Sequence, residues 1–262
     1  MSARRQRGCW GARRVALCAL GALVLAGCGS VAASITTAAS QQLARGSSSS
    51  VSTVATTTDG PVVPLPVAAA GVEAELRGIP QHGLVLGRAN APVTIVEYAD
   101  LLCTECAAVH DDVLPAVIAG AVRSGRATLE LRPVVGSSAS GALAVAAYSA
   151  AVQGRGWQFV QLAYRRIGIA GSPAEPAQAL AGALAINLPR WRGDLGRASW
   201  KTDIAGALDV VRVAGFGVYP VFLITNAAQS PTKAPLPYVV LTDPASARSI
   251  DLAIAKALAR RG

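Results

Sequence analysis

The chain has 262 residues, of which 52% are hydrophobic and 15% charged, and its formal net charge is +9. This composition excludes disorder of the whole chain, collagen-like repeats and coiled coils, which need more polar or charged sequence. Five of the positive charges are arginines within the first 14 positions, and the other basic residues are scattered without aromatic interleaving, so nucleic-acid binding is not expected.

Residues 1–27 are predicted to be an export signal. A basic segment, Arg4 to Arg14, precedes an apolar stretch, Val15 to Ala26, that is too short to span a bilayer comfortably. The stretch ends in Leu25-Ala26-Gly27-Cys28, which resembles the lipobox of bacterial lipoproteins. This resemblance implies acylation of the Cys28 thiol and a location outside the cytoplasm, anchored to the cell membrane. An uncleaved anchor or plain secretion is the alternative.

Residues 28–70 are rich in Ser, Thr, Ala and Pro, and their charged residues are Arg45 and Asp59. Such a composition cannot bury a core, so the segment is predicted to be a disordered tether. The folded domain is then expected to span residues 71–262.

The cysteines indicate redox chemistry. Of the five in the chain, Cys9 and Cys18 belong to the signal and Cys28 is the lipidation site, which leaves Cys103 and Cys106. A disulfide across two intervening residues closes almost no loop and is a poor structural staple. In an exported protein this spacing favours a redox-active pair. A buried structural bridge in a surface interaction domain is one alternative.

The first elements of the domain form a β-α-β unit. Residues 92–98 are β-branched and mostly apolar, which is typical of a central strand. A helix is predicted from Cys106 to Ala119, with a kink at Pro115. A second strand is predicted from Thr128 to Val135. The cysteines therefore lie at the start of the crossover helix.

A helical block is predicted over about residues 139–214, followed by a β-β-α unit. Its four segments are predicted at Ser140–Val152, Trp157–Ile167, Glu175–Ile186 and Ser199–Ala214. The last unit comprises strands at Val221–Thr225 and Tyr238–Thr242 and a terminal helix with Ile250, Ile254 and Leu258 on one face.

From Gly78 to the C-terminus the chain resembles the DsbA-like branch of the thioredoxin superfamily. The resemblance is carried by residues 87–98 leading into Cys103-Thr104-Glu105-Cys106, and by Gly215-Phe216-Gly217-Val218-Tyr219-Pro220. It implies an α/β, thioredoxin-like fold with a helical insertion between the βαβ and ββα halves. It also implies an enzyme, a thiol-disulfide oxidoreductase without a cofactor. Its partners would be exported proteins with cysteines and a membrane redox partner.

Thiol-disulfide exchange needs an exposed thiolate that its surroundings favour. Cys103, at the N-terminus of a helix, meets this need because unpaired backbone N–H groups stabilise negative charge there. Cys103 is therefore the predicted nucleophile and Cys106 the resolving thiol. The motif leaves oxidase, reductase and isomerase directions open.

The resemblance implies roles for three further residues. Pro220 would be cis and lie against the cysteine pair, whereas an ordinary trans proline at an edge strand is the alternative. The backbone at Tyr219 would pair with the client chain. Glu97 would be a buried acid that relays protons for Cys106, the alternative being a carboxylate paired with an arginine.

Residues Thr104 and Glu105, between the cysteines, are expected to tune the pair. Glu105 stands where DsbA itself carries a histidine, and a carboxylate there should disfavour the Cys103 thiolate. We therefore expect a less oxidising pair than that of DsbA. Tyr219 replaces the smaller residue usual before the cis proline, which leaves client choice open.

His110 follows Cys103 by seven residues and Cys106 by four. All three side chains on one helix face would form a copper or zinc site, as in a metal-binding thioredoxin-fold redox chaperone. The preferred interpretation is a helix-surface histidine without metal.

Overall fold

The computed structural model describes residues 63–167, 176–226, 238–242 and 246–259. The predicted signal peptide, Cys28 and most of the predicted tether lie outside these residues. In the described part of the chain, no helix is both long and apolar enough to cross a membrane.

The described elements follow the predicted order, with additions at the N-terminus and in the helical block. They are α1 Leu65–Leu76, β1 Gln81–His82, β2 Val85–Leu86, β3 Val93–Ala99, α2 Thr104–Asp112, α3 Leu114–Val117, a π-helical turn Ile118–Val122, β4 Ala127–Pro133, α4 Ser138–Ala151, α5 Gly156–Ile167, α6 Ala177–Ala183, α7 Leu188–Asp194, α8 Ala198–Val213, β5 Val221–Asn226, β6 Val239–Leu241 and α9 Ala247–Ala259.

The strands form one sheet in the order β1-β2-β4-β3-β5-β6. Strand β3 runs parallel to β4 and antiparallel to β5, which places Leu131 and Phe222 on either side of Glu97. Because β3 is central and covered on both faces, all but one of its residues are buried. This explains its β-branched, apolar sequence.

The two faces of β3 pack against different helices. Ile95 joins the larger core, which includes α2, α4 and α5, whereas Val96 and Tyr98 pack with Ala207 and Val211 of α8. Side chains alternate along a strand, so Glu97 points to the same face as Ile95. An acidic group is thereby placed beneath α2.

The crossover is three short segments where the sequence predicts one kinked helix. Helix α2 ends at Asp112, α3 begins at Leu114 and a π-helical turn follows. Pro115 has no N–H to donate to the preceding turn, so the α-helical ladder breaks there. Gly125, with φ of 79°, then lets the chain turn into β4.

The insertion contains five described helices, where four are predicted. The additional one is α7, which begins after Asn187, whose side-chain oxygen accepts a hydrogen bond from the Arg190 N–H at 3.0 Å. Pro189 lies in its first turn, where a missing N–H is tolerated. Helix α5 is almost wholly buried and contributes Trp157 and Phe159 to the core.

Helix α1 corrects the boundary of the predicted tether at residue 70. The helix begins at Leu65, and Ala69, Val72 and Leu76, at helical spacing, are buried. They pack in the main core, and α1 contacts α5. The prolines around its start had suggested an extended chain, but Pro66 occupies the first turn of the helix, where proline is accepted.

Candidate active site

The turn between β3 and α2 is held by Asp100, which the sequence analysis did not single out. Its Oδ1 accepts a hydrogen bond from the Leu102 N–H and its Oδ2 one from the Gly136 N–H, both at 2.7 Å. Its backbone carbonyl accepts from the Cys103 N–H at 3.0 Å. An aspartate bonded to the N–H two residues on is a turn motif, and its place directly after a strand was the available signal.

Cys103 is the N-cap residue of α2. Its half-buried sulfur accepts a hydrogen bond from the Cys106 N–H at 3.1 Å. Hydrogen bonds from the thiol and the backbone of Cys106 lower the pKa of Cys103, against the opposing effects of burial and Glu105. A lowered pKa favours the thiolate at Cys103, which is the form that attacks in thiol-disulfide exchange.

Cys106 lies inside the first turn of α2 and is completely buried. Its hydrogen bond with Cys103, its burial and the negative charges of Cys103 and Glu97 raise its pKa. The two thiols are free. One sulfur is therefore accessible and favoured as thiolate, and the other is enclosed and favoured as thiol.

Thr104 and Glu105 are exposed beside the Cys103 sulfur. The Glu105 Oε2 atom accepts a hydrogen bond from the Thr104 hydroxyl at 3.0 Å and lies 3.6 Å from the Cys103 sulfur. Its hydrogen bond and charge raise the pKa of Cys103, although the contributions from Cys106 outweigh them. The sign of the Glu105 effect agrees with the expectation from sequence.

His110 is not the helix-surface residue that the sequence analysis preferred, because it is buried with an exposed fraction of 1%. Its Nε2 lies 3.0 Å and 3.2 Å from the two carboxylate oxygens of Glu97, which is also fully buried. Its Nδ1 lies 2.8 Å from the Gln161 Oε1. Glu97 thus pairs with a histidine, and not with the arginine considered as an alternative.

The metal alternative does not fit this geometry. Both ring nitrogens of His110 point at α5 and β3 partners, and the described residues contain no cluster of His, Cys, Asp and Glu suited to a metal ion. Aromatic rings enclose the imidazole: the Tyr164 centroid lies 4.1 Å and the Trp157 centroid 6.1 Å from it. The Tyr164 hydroxyl donates to the Asp100 carbonyl at 3.2 Å, which ties α5 to the cysteine turn.

The loop before β5 carries Tyr219 and Pro220, the two residues predicted to meet the client chain. The Tyr219–Pro220 peptide bond is cis, the form that the resemblance implies. Burial, with smaller contributions from the charges of Asp100 and Cys106, raises the pKa of Tyr219. Pro220 is buried, whereas Val218 is 58% exposed. The chain leading to the proline is therefore open to a partner.

Comparisons with known proteins agree with this geometry. Residues 80–186 match the family model described as thioredoxin. No curated protein matches the chain in sequence. Among solved structures, Wolbachia pipientis alpha-DsbA1 is 16% identical, with a TM-score of 0.56, and the match covers 72% of this chain and 98% of that one.

Two further structures are similar. Bacillus subtilis BdbD in its oxidised form has 18% identity and a TM-score of 0.56 over 69% of this chain and 97% of its own. Pseudomonas aeruginosa DsbA2 has 20% identity and a TM-score of 0.51 over 69% and 96%. At these identities the likeness establishes the fold, and the predicted thioredoxin-like architecture with a helical insertion is confirmed.

Proposed function

We propose that this chain, which has the thioredoxin-like fold of DsbA proteins, is a thiol-disulfide oxidoreductase acting through Cys103 and Cys106. The observation that carries the proposal is the asymmetry of the pair: the Cys103 sulfur is accessible and accepts the Cys106 N–H, while Cys106 is buried. A nucleophile at a helix N-terminus and an enclosed resolving thiol are the two parts that exchange requires.

In the oxidising direction, a client thiolate attacks the Cys103 sulfur of the Cys103–Cys106 disulfide. A mixed disulfide forms with Cys103, and Cys106 leaves as a thiolate that takes up a proton. A second client thiolate then attacks the client sulfur of the mixed disulfide and expels the Cys103 thiolate. The client dithiol is oxidised to a disulfide and the enzyme pair is reduced. The reverse sequence uses the same atoms, so the potential of the pair sets the direction.

We place this activity outside the cytoplasm, on exported proteins with cysteines, with a membrane redox partner that resets the pair. The leader and the lipobox-like Leu25-Ala26-Gly27-Cys28 support a lipid anchor at Cys28. The cis-proline loop supports a client site, with the backbone at Tyr219 pairing with the client chain. Glu97 is assigned the proton exchange with Cys106, which its burial beneath α2 supports.

The test is to equilibrate the purified protein in graded glutathione buffers and follow the pair by alkylation and mass. A reversible transition between about −120 and −180 mV marks a donor of disulfides, and one near about −270 mV a reductant. Failure of the pair to exchange at all refutes the proposal.

Single cysteine variants check the roles of the two sulfurs. With a model disulfide peptide, Cys106→Ser is expected to accumulate the mixed disulfide at Cys103, because the resolving thiol is gone. Cys103→Ser is expected to form none, because Cys106 is buried. Equal trapping by both variants would contradict the assignment.

A further inference from the structure

A line of hydrogen bonds, buried at Glu97, His110 and Gln161 and half-buried at Glu75, leads from β3 to helix α1. Glu97 bonds the Nε2 of His110, and the Gln161 Oε1 lies 2.8 Å from the His110 Nδ1. At its other end the Gln161 Nε2 donates to the Glu75 Oε1 at 3.4 Å, and Glu75 forms an ion pair with Arg165. The line joins four elements: β3, α2, α5 and α1.

The end of this line determines the tautomer of His110. The carboxylate of Glu75, paired with a guanidinium, only accepts hydrogen bonds, so it must face the amide nitrogen of Gln161. The amide oxygen of Gln161 therefore faces His110. Since an amide oxygen only accepts, the Nδ1 of His110 carries a proton.

Glu97 and the Nε2 of His110 then share one proton. Either an imidazolium faces a carboxylate, or a neutral imidazole accepts from a carboxylic acid. Both arrangements have a net charge of zero, and loss of the shared proton leaves a charge of −1 on the pair. Glu97 and His110 therefore bind and release a single proton as one unit, called the proton store below.

The surroundings of the pair favour the protonated state. Burial by itself lowers the pKa of His110, but the charge and hydrogen bond of Glu97, the hydrogen bond of Gln161 and the charge of Asp111 raise it overall. The strand neighbours of Glu97 are the apolar residues Leu131 and Phe222. From α5, uncharged Gln161, Trp157 and Tyr164 face the imidazole.

We propose that Glu97 and His110 together supply and recover the proton of Cys106, with His110 as the positioning residue that acts through Glu97 by sharing this proton. The proposal rests on the proposed function. It assigns to His110, one helical turn after Cys106 on α2, a role that neither the cysteine motif nor the fold gives it.

In the reducing direction, the resolving step moves one proton from Cys106 to the Glu97–His110 pair. The Cys106 thiol attacks the Cys103 sulfur of the mixed disulfide, the client leaves as a thiolate, and the Cys106 proton passes to the Glu97–His110 pair in its −1 state. In the oxidising direction, the Cys106 thiolate released from the disulfide takes the shared proton, and the pair goes from zero to −1.

The experiment uses the full reduced protein and an aromatic disulfide whose released thiolate is coloured, mixed in a stopped-flow instrument. In the first phase, attack by Cys103 releases one equivalent of the coloured thiolate. In the second phase, attack by Cys106 on the mixed disulfide releases another. The first phase tests the proposed function, and the second tests the proton store. Failure of one is thereby distinguished from failure of the other.

For the variant His110→Gln we expect the first phase to persist and the second to slow by about tenfold or more. An amide bonds Glu97 but cannot carry the proton, so the pH profile of the second phase should also change. The matched control is His82→Gln, which removes the other histidine of the chain, exposed on β1. It should leave both phases at the wild-type rates.

A second variant keeps the histidine and addresses the tautomer. Gln161→Leu removes the acceptor of the Nδ1 proton, a hydrogen bond that raises the pKa of His110. The inflection in a plot of the second-phase rate against pH should therefore move to lower pH. This variant decides the question if His110→Gln does not fold. The proposal is overturned if His110→Gln and Gln161→Leu, where they fold, show the same dependence of the second-phase rate on pH as the wild type.

Discussion

At the scale of single residues, two contacts of the Cys103 sulfur act in opposite directions on its pKa. The Cys106 N–H stabilises the Cys103 thiolate, whereas the Glu105 carboxylate, 3.6 Å away, stabilises the thiol. Glu105 is exposed and acts through solvent, so its effect is the smaller one. The pair is expected to be less oxidising than one without a carboxylate at this place.

Replacing Glu105 by glutamine removes the opposing charge. In Glu105→Gln the pKa of Cys103 should fall, and the pair should become more oxidising because the reduced form gains stability. The pKa is measured by pH-dependent alkylation of Cys103, and the potential in glutathione buffers.

The matched control is Asp112→Asn, which removes one exposed carboxylate at the far end of α2. It should leave the Cys103 pKa close to the wild-type value. An unchanged or higher pKa in Glu105→Gln would contradict the assignment of the charge effect.

At the scale of elements, the site depends on how β3, α2 and α5 are joined. Glu97 from β3 and Gln161 from α5 bond the two ring nitrogens of His110 on α2, and Tyr164 of α5 bonds the turn before α2. The two bonds from α5 span 51 and 64 positions of the sequence. The same contacts that position the proton store therefore also hold the helix carrying the cysteines on the sheet.

The stability of the protein should consequently depend on pH through His110. Burial by itself lowers its pKa in the folded state, but the charge and the hydrogen bond of Glu97 outweigh this effect and raise the pKa above the usual value for histidine. The stabilisation is fully present below the pKa of the unfolded chain and is lost as the pH rises through the folded pKa. The free energy of unfolding of the oxidised protein, measured by denaturant titration, should fall over this range. Working with the disulfide form removes the thiol titrations.

In His110→Gln this fall should disappear, whereas His82→Gln should retain it. The difference between wild type and His110→Gln should therefore shrink as the pH rises. A difference that is the same at every pH would show that His110 contributes packing alone.

At the scale of the whole molecule, helix α1 is part of the folded unit that carries the site. It packs on α5, and its Glu75 ends the line of hydrogen bonds that fixes the His110 tautomer. The family match begins at residue 80, after α1. The functional unit is therefore longer at its N-terminus than the matched segment, and α1 must stay with it in any shortened version.

The location of the molecule rests on Cys28. In a bacterial host supplied with labelled fatty acid, the full chain should incorporate label and sediment with membranes. Cys28→Ser should lose the label, because the acylated thiol is absent. Cys18→Ser, a cysteine-to-serine change within the predicted signal, is the control and should be labelled as wild type. Equal labelling of the chain with and without Cys28 would exclude this lipidation site.

Features that depend on local pattern could be predicted from the amino-acid sequence. The β-branched run of β3, the cysteines at the start of a helix and most helices of the insertion follow from composition, periodicity and spacing. Their physical causes, strand burial and the free N–H groups at a helix start, act within a few residues. The structure differs from the prediction at α1 and α7, where a proline occupies the first helical turn and does not break the helix.

The surroundings of the cysteine pair depend on tertiary packing and could not be predicted from local sequence. His110 follows the strand residue Glu97 by 13 positions and precedes Gln161 by 51, and no periodicity relates residues on three different elements. The sequence near His110 offers no further metal ligand, and the preferred interpretation was a histidine on the helix surface. The packing of α2 between β3 and α5 buries His110. Burial beside the Glu97 carboxylate favours a proton that the two side chains share.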